Sequence, residues 1–407
     1  MTPRKTIVFL GDGMADDPIP ALGGKTPLQA AKTPAMDSIA RDGVSGTLLT
    51  LPEGYPTSSD VANMSVLGCD LSKELCGRGP LEAAGRSIPM GPQDYAFRIN
   101  LTNTVDGILK DFSGGHATQP TADELIALLN QKFGSPTVRF HTGLSYRNLL
   151  ILTGPEFNDR VKAEKPDDNQ GSPVAAHLPK ASDPSGEITA AFLRRLIAEA
   201  PALLEASPVN RALASAGKPM ANGVWPWSGG KAGAIRKLRD KYGIETSAVI
   251  SAVDVIMGLG RCLGMEMIQV PGATGYIDTN YEGKAQAAIK ALKTHDFVYI
   301  HVEAIDEVSH EQNLKLKLQA IEDFDARIVG PVLAAVGPGV NVAVLPDHPV
   351  PLALGKHTRT PVPVSIRIVG QQPDGVQTFD EIACQSGALG PLANGDLMAK
   401  LFGPPRD

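Results

Sequence analysis

The sequence alternates short apolar runs, rich in Val and Ile, with segments whose apolar residues recur at the spacing of a helix. The apolar runs predict strands at residues 6–11, 43–51, 222–227, 247–252, 265–270, 296–302 and 340–346. The helix-spaced segments between them are residues 31–43, 229–243, 252–264, 281–294 and 314–337. Several of these end in glycine, which commonly terminates a helix. This alternation predicts an α/β fold whose mainly parallel sheet is covered by helices on both faces.

Between about residues 105 and 215, the chain lacks this regular alternation of strand and helix patterns. Two apolar strand candidates, 137–143 and 148–154, precede a loop rich in Pro, Asp and Gly and then a helix over 188–205. These strands would give the region a core of its own. We therefore predict a smaller α/β domain, residues 106–215, inserted into a domain of residues 1–105 and 216–407. The alternative is one large domain with a flexible excursion.

Composition and net charge argue against several classes of protein. The net charge of −6 argues against binding to nucleic acid or to a membrane surface. No apolar stretch reaches the roughly 20 residues of a membrane-spanning helix, and the apolar run near the N-terminus is too short for a signal peptide. The four cysteines form no C-x-x-C pair, which is typical of thiols in a reducing compartment. We expect a cytoplasmic globular protein.

Acidic residues and histidines follow several of the predicted strands. Asp12 comes directly after the first strand, between two glycines that allow a tight turn. Asp306 and His310 are four residues apart after the strand at 296–302, a spacing that places both on one face of a helix. In open α/β sheets, ligands and metals bind outside the carboxyl ends of the strands. The spacing therefore predicts metal ligands at this edge.

A second acid and histidine cluster lies at the end of the strand at 340–346. Asp347 and His348 are adjacent there, and His357 follows nine residues later. A single Asp at a strand end is more often a helix cap than a ligand, and a lone D-x-x-x-H motif is a weak signal. Together the strand-end residues favour a metal site, and their mixture of oxygen and imidazole ligands suits Mn²⁺ or Zn²⁺.

Two bridged cations of this kind would suit in-line phosphoryl transfer, with an alcohol as the nucleophile. The segment SSDVAN, residues 58–63, offers two hydroxyls ahead of a helix-like apolar pattern. By itself this segment is equally compatible with a helix cap.

Seven motifs spread over the chain resemble, in order, the archaeal-type cofactor-independent phosphoglycerate mutases of the alkaline phosphatase superfamily. They are GDGMAD, SSDVANMSVLG, GRGPLEAAG, GLSYRN, ATGYIDTNYEGKA, DEVSH and DHPVPLALGKHTRTPVP. The resemblance implies an alkaline-phosphatase-like domain with two divalent metal ions and an inserted domain that closes over the substrate. It implies Mn²⁺, with Zn²⁺, Co²⁺ or Mg²⁺ as alternatives.

Carried onto this sequence, the resemblance implies a role for each strand-end residue. Ser59 matches the serine that becomes transiently phosphorylated. One metal ion would be held by Asp12, Ser59, Asp347 and His348. The other would be held by Asp306, His310 and His357. Ser58 and Ser309 stand where relatives often have glycine, and neither change removes a ligand.

The resemblance also implies contacts to the substrate, a small phosphorylated hydroxy acid. His116 matches a histidine of the inserted domain that holds the glycerate or the phosphate. Arg78 and Arg147 match arginines suited to pair with phosphate or carboxylate oxygens. Lys356 could neutralise the transferred phosphoryl group. Arg78 and Arg147 could instead be structural arginines, and Lys356 a solvated surface lysine.

The expected reaction is the interconversion of 3-phosphoglycerate and 2-phosphoglycerate. Three other functions stay open on the sequence: a homoserine kinase-like phosphoryl transfer, a phosphomonoesterase, and a non-catalytic protein that binds metal or sugar phosphate. The segment GGKAGA at 229–234 lacks the first glycine and the hydroxyl of a P-loop, which disfavours a kinase of that type. The sequence does not define the oligomeric state.

Overall fold

The computed structural model describes residues 5–231, 233 and 235–406. The strands are Thr6–Gly11 (β1), Val44–Leu49 (β2), Asp94–Val105 (β3), Ile108–Asp111 (β4), Val138–Leu144 (β5), Arg147–Thr153 (β6), Val161–Lys162 (β7), Lys180–Ala181 (β8), Gly223–Lys231 (β9), Ser247–Ile250 (β10), Glu266–Met267 (β11), Phe297–Val302 (β12), Asn341–Leu345 (β13), Val362–Arg367 (β14) and Gly390–Ala393 (β15).

The α-helices are Pro27–Ala30 (α1), Pro34–Arg41 (α2), Ser59–Val66 (α3), Leu71–Glu74 (α4), Arg78–Gly85 (α5), Gln119–Phe133 (α6), Glu187–Glu205 (α7), Pro208–Ser215 (α8), Leu238–Tyr242 (α9), Asp254–Cys262 (α10), Tyr281–Ala291 (α11), Ala304–His310 (α12), Leu314–Phe324 (α13), Gly330–Val336 (α14) and Asp396–Phe402 (α15). A π-helical segment, Asp325–Val329, joins α13 to α14. No helix of the described residues is both long and apolar enough to cross a membrane.

The chain divides into two compact units. Unit 1 comprises residues 1–75 and 235–407, and unit 2 comprises residues 76–234. Unit 1 contains an eight-stranded sheet in the order β11-β10-β12-β1-β13-β14-β2-β15. Only β14 runs antiparallel to its two neighbours, and the other pairings in the sheet are parallel. The predicted α/β fold with a mainly parallel sheet is confirmed.

The central strands of unit 1 are buried on both faces. Apolar residues of one face pack against α2, α11, α13 and α14 in the main core. Because side chains alternate along a strand, the other face carries the intervening residues, which include Leu10 of β1 and Tyr299 and His301 of β12. These three side chains have no solvent exposure. Two polar groups in a fully buried strand need specific partners.

The loops that follow β1 and β13 are fastened to each other. Met14 and Ala15 form β-bridges with Pro349. The buried ammonium of Lys317 lies 2.9 Å from Asp16 Oδ2 and donates to the carbonyl of Val350 at 3.0 Å. These contacts fix the two loops that carry Asp12 and Asp347.

Unit 2 contains an antiparallel sheet in which β3 lies between β6 and β9. The face with Phe97 and Ile99 forms a hydrophobic core with α6 and α7. The alternate residues Ala96 and Arg98 lie on the opposite face, where α5 packs against β3 and β9. Unit 2 therefore has its own core.

Unit 2 is larger than the domain predicted at 106–215. The division falls after Leu75 and before Ile235, because β3 and β9 lie outside the predicted range yet pair with each other and with β6. The sequence prediction assigned 222–227 to the main sheet, and in the structure this strand belongs to unit 2. The helix predicted over 229–243 is also wrong at its start. There β9 continues to Lys231, and α9 covers only Leu238–Tyr242.

A buried ion pair joins the two segments of unit 1 that precede and follow unit 2 in the chain. Glu74 accepts from the ammonium of Lys241 at 2.6 Å and from the backbone N–H of Arg236 at 2.7 Å. Both charged side chains are 4% exposed. Residues just before and just after unit 2 in the chain are therefore joined within unit 1.

We expect Glu74→Gln to lower the free energy of unfolding of unit 1 by about 3 to 5 kcal/mol, because it leaves the Lys241 charge buried without a counter-ion. Urea unfolding measures this. The matched control is Glu245→Gln, which removes an exposed pair with Arg239 and should cost less than about 1 kcal/mol. Equal effects of the two substitutions would contradict the prediction.

Candidate functional site

The seven predicted metal ligands all lie in unit 1, at or near the carboxyl ends of β1, β12 and β13. Asp12 follows β1 directly, and Asp347 and His348 follow β13. Asp306 and His310 lie on α12, the helix after β12, and His357 lies on the segment between β13 and β14. Ser59 is the first residue of α3.

Four of these residues form one group around His348 Nε2. This nitrogen is 3.2 Å from Ser59 Oγ, 3.3 Å from Asp12 Oδ1 and 3.4 Å from Asp347 Oδ2. Asp12, Asp347 and His348 are fully buried, and Ser59 is 7% exposed. Residues separated by up to 336 positions in sequence are thus brought together.

The other three residues form a second group. His310 Nε2 is 2.9 Å from His357 Nε2 and 3.3 Å from Asp306 Oδ2, and His357 Nε2 is 3.4 Å from Asp306 Oδ1. The two groups are adjacent, since the imidazoles of His348 and His357 stack with their centroids 3.8 Å apart.

Hydrogen bonding orients the nitrogens of the second group. The Nδ1 of His310 lies 2.9 Å from the carbonyl of Gly355, which can only accept. A proton on Nδ1 leaves the lone pair of Nε2 directed towards His357 and Asp306. This is the arrangement that metal-ligating histidines generally show.

The carboxylates of the site strongly perturb one another. Burial raises the pKa of Asp12 well above its usual value, and the nearby Asp347, Glu303 and Asp306 raise it further. Burial also raises the pKa of Asp347 to about 7 and that of Glu303 to about 8. Burial alone would raise the pKa of Asp306, but the adjacent imidazoles of His310 and His357 hold it well below its usual value. Such a cluster of buried acids requires positive charge to be fully ionised.

The donor set fits a pair of divalent cations. Ligand atoms about 2.1 Å from a common cation lie about 3.0 to 3.4 Å from one another in octahedral or tetrahedral geometry. The separations within both groups are close to this range. Asp12 Oδ1 and Asp306 Oδ1 are buried and make no hydrogen bond to any described residue. Mixed carboxylate, imidazole and hydroxyl donors suit Mn²⁺ or Zn²⁺.

The structure distinguishes the two serines of SSDVAN. Ser58 is the N-cap residue of α3, but its side chain makes no capping hydrogen bond. Ser59, at the first helical position, directs its hydroxyl to His348. Phosphate groups are favoured at a helix N-terminus, where free N–H groups and the helix dipole point outward.

The two predicted substrate arginines both lie in unit 2. Arg78 begins α5, with its guanidinium 5.9 Å from the Trp227 ring, and Arg147 begins β6, with its guanidinium 4.9 Å from the Tyr146 ring. The charges of both arginines affect the pKa of a third arginine, Arg98, which the sequence analysis did not select. Burial lowers the pKa of Arg98, Glu82 opposes this through an ion pair at 2.9 Å, and the charges of Arg147 and Arg78 lower it further. Unit 2 therefore carries a cluster of three guanidinium groups.

The other two predicted contacts are exposed. His116 has a φ of 53° and ends a tight loop in which Gly114 and Gly115 also have positive φ. Asp111 holds this loop by accepting from the backbone N–H groups of Ser113 and Gly115. Lys356 is an exposed residue of unit 1, next to His357. Both side chains are available to a ligand.

Four further polar residues support the first group, and sequence reasoning did not select them. His301 Nε2 lies 3.0 Å from Asp12 Oδ2, and Glu303 also lies against Asp12. Asn63 Nδ2 donates to Asp347 Oδ2 at 2.9 Å, and Tyr299 donates to Asn63 Oδ1 at 2.5 Å. The available signal was the presence of Tyr and His within an otherwise apolar buried strand, FVYIHV.

Comparison with known proteins identifies the family. The profile of the 2,3-bisphosphoglycerate-independent phosphoglycerate mutase family matches residues 40–210. A protein of that name from Methanosarcina acetivorans is 45% identical over 98% of this chain and 99% of its own length. A probable enzyme of that name from Geobacter sulfurreducens is 44% identical over 95% of this chain and 96% of its own length.

Two solved structures are similar over almost the whole chain. A protein from Pyrococcus horikoshii has a TM-score of 0.84 at 28% identity, covering 100% of this chain and 99% of that one. A cofactor-independent phosphoglycerate mutase from Thermoplasma acidophilum has a TM-score of 0.66 at 29% identity, covering 98% of each. The resemblance drawn from the motifs is thus confirmed over the full length, and the chain belongs to the 2,3-bisphosphoglycerate-independent phosphoglycerate mutase family.

Proposed function

We propose that the protein interconverts 3-phosphoglycerate and 2-phosphoglycerate, with Ser59 carrying the phosphoryl group between the two hydroxyls. The observation that carries this proposal is the position of the Ser59 hydroxyl. It lies at the N-terminus of α3 and 3.2 Å from His348, within a cluster of acids and histidines at the sheet edge. Membership of a family of phosphoglycerate mutases supports the same reaction.

Two divalent cations complete the proposed site, with Mn²⁺ as the first choice. One would be held by Asp12, Ser59, Asp347 and His348. The other would be held by Asp306, His310 and His357. Bound cations would neutralise charge on the phosphoryl oxygens and lower the pKa of the serine hydroxyl.

The protein's own groups account for the remaining chemistry. Ser59 Oγ forms a bond to phosphorus while the bond from phosphorus to the C3 oxygen of the substrate breaks. The proton lost by the serine hydroxyl is matched by the proton gained at the C3 hydroxyl. The N–H groups at the start of α3 stabilise the phosphoserine dianion. The C2 hydroxyl of glycerate then takes the phosphoryl group, and Ser59 regains its proton.

The exchange requires that glycerate stays bound and that water is excluded, because water would otherwise hydrolyse the phosphoserine. We assign to unit 2 the role of holding the glycerate and capping the site. Arg78, Arg147 and His116 would contact the carboxylate or phosphate oxygens, and Lys356 of unit 1 would contact the phosphoryl group. The guanidinium cluster around Arg98 supports an anionic ligand for this unit.

We expect Arg147→Lys to raise KM for 3-phosphoglycerate by about 10- to 100-fold, since a lysine cannot replace a forked guanidinium and a hydrogen bond to a charged group contributes about 1.5 to 3 kcal/mol. Steady-state kinetics measure the effect. The control is Arg211→Lys on α8, an exposed arginine of the same unit, which should leave KM unchanged. If both variants keep the wild-type KM, Arg147 does not contact the substrate.

The deciding assay uses the purified protein with Mn²⁺ and 3-phosphoglycerate, coupled to enolase. We expect phosphoenolpyruvate to form without added 2,3-bisphosphoglycerate. Parallel reactions test release of inorganic phosphate and phosphorylation of homoserine by ATP. If either parallel reaction proceeds while the mutase reaction does not, the proposal is wrong.

A further inference from the structure

Three neighbouring strands, β10, β12 and β1, each place a polar side chain at the edge where Asp12 lies. Ile250 pairs with Ile300, so the residues that follow, Ser251 and His301, lie side by side. His301 in turn pairs with Leu10, two residues before Asp12. Because side chains alternate along a strand, this register places Ser251, His301 and Asp12 on one face of the sheet. All three are buried, with His301 and Asp12 showing no exposure.

The three side chains form a continuous hydrogen-bonded chain. The backbone N–H of Val253 donates to Ser251 Oγ at 3.1 Å. Ser251 Oγ lies 3.1 Å from His301 Nδ1, and His301 Nε2 lies 3.0 Å from Asp12 Oδ2. The other oxygen, Asp12 Oδ1, makes no hydrogen bond to any described residue and lies 3.3 Å from His348 Nε2.

The two ends of this chain fix its direction. A backbone N–H can only donate, and Asp12 can only accept when its carboxylate is ionised, as it is when it binds a cation. Ser251 Oγ accepts from Val253, so its own proton is available to His301 Nδ1. The proton of the neutral imidazole is then on Nε2 and is donated to Asp12 Oδ2. In this tautomer His301 has no lone pair directed at Asp12.

We propose that His301 is a positioning residue that holds Asp12 Oδ2 through an Nε2–H tautomer set by Ser251, and so directs Oδ1 to the cation shared with Ser59. The inference rests on the proposed role of Asp12 as a metal ligand. His301 itself is not a ligand, although it lies close enough to Asp12 and Asp347 to be mistaken for one. Mutation of a residue that hydrogen-bonds to a metal ligand typically lowers metal affinity by about 10- to 100-fold.

The test compares two substitutions of the same histidine. Glutamine can place its Nε2 donor near the position of the imidazole Nε2, whereas phenylalanine fills the volume without a donor. In Mn²⁺ titrations followed by calorimetry, we expect His301→Phe to lower the affinity for one of the two cations about 10- to 100-fold. We expect His301→Gln to stay within about threefold of the wild type. The control is His295→Gln, at the opposite end of β12, where the histidine pairs with Glu266.

Two outcomes of the titrations overturn the proposal. One is that His301→Phe binds both cations as the wild type does, which reduces His301 to a packing residue. The other is that His301→Gln loses as much affinity as His301→Phe, which indicates a ligand or a role of ring shape. Asp12→Asn separates this inference from the proposed function. If Asp12→Asn still binds two cations with wild-type affinity, Asp12 is not a ligand and the metal site itself is wrong.

A spectroscopic readout does not depend on the stability of the His301 variants. Long-range ¹H–¹⁵N spectra of the Zn²⁺-loaded wild-type protein, in which Asp12 is ionised, distinguish the two neutral tautomers of each histidine, and the His301 signals are assigned through their connection to the backbone of that residue. We expect the Nε2–H tautomer in the wild type and a shift towards Nδ1–H in Ser251→Ala. If Ser251→Ala is unstable, the tautomer of His301 in the wild-type protein is a sufficient test by itself. An Nδ1–H tautomer in the wild type overturns the proposal.

Discussion

Ser59→Ala is expected to abolish the phosphoenzyme and to lower kcat/KM by about 10⁴-fold or more, because loss of a nucleophile is among the largest single effects in enzymes. Acid quenching after a brief incubation with 3-phosphoglycerate, followed by mass spectrometry of the peptide containing residues 58–63, measures the phosphoserine. The variant should bind one cation normally and the other only moderately more weakly, since three of its four ligands remain.

Ser58→Ala is the matched control. Its side chain makes no capping hydrogen bond to α3, so we expect the unfolding free energy to change by less than about 0.5 kcal/mol. Phosphorylation and turnover should continue at the wild-type level. A phosphopeptide from Ser59→Ala, with the modification on Ser58, would falsify the assignment of the nucleophile.

Asp306→Asn is expected to reduce the number of bound Mn²⁺ ions from two to one and to lower kcat by at least about 10²-fold. Asp306 approaches both histidines of the second group, at 3.3 Å from His310 and 3.4 Å from His357. Its neutral amide would lose the charge that draws a cation between them. Metal analysis after gel filtration, together with turnover, measures both effects.

Glu307→Gln is the control for this substitution. Glu307 is the next residue on α12 and lies near both Glu303 and Asp306, but it is outside the proposed ligand sets. We expect it to keep two cations and most of the activity. If Glu307→Gln loses a cation while Asp306→Asn keeps two, the second ligand set is wrong.

The sheet of unit 1 was predictable because its central strands are buried on both faces. Such strands appear in the sequence as continuous apolar runs, as in TIVFLG and VNVAVLP, and need no knowledge of their partners. The limits of unit 2 were not predictable in this way. They depend on pairing between β3 and β9, whose residues are more than 100 positions apart. The helix expected over 229–243 failed for the same reason, since pairing with β3 extends β9 to Lys231.

The candidate ligands could be selected because acids and histidines immediately after strands converge at one sheet edge. The residues that support them could not be assigned a role from the sequence. His301 and Tyr299 lie within β12, where their function depends on Asp12, 289 positions away, and on Asn63, 236 positions away. Arg98 depends similarly on Glu82 and on the guanidinium groups of Arg78 and Arg147. In the sequence such residues appear at most as polar side chains within an apolar run, as in FVYIHV, and the run does not identify their partners.

The position of β1 between β12 and β13 has a consequence for biosynthesis. β1 ends at Gly11, whereas its two neighbours begin at Phe297 and Asn341. At roughly 5 to 20 residues per second, a ribosome needs on the order of 15 to 60 s to reach the first of them. During this interval the whole of unit 2 emerges and can fold, while the apolar run of β1 has no partner. In the nascent chain a strand that is fully buried in the folded protein therefore stays exposed throughout this interval, and its apolar side chains are a binding site for a chaperone.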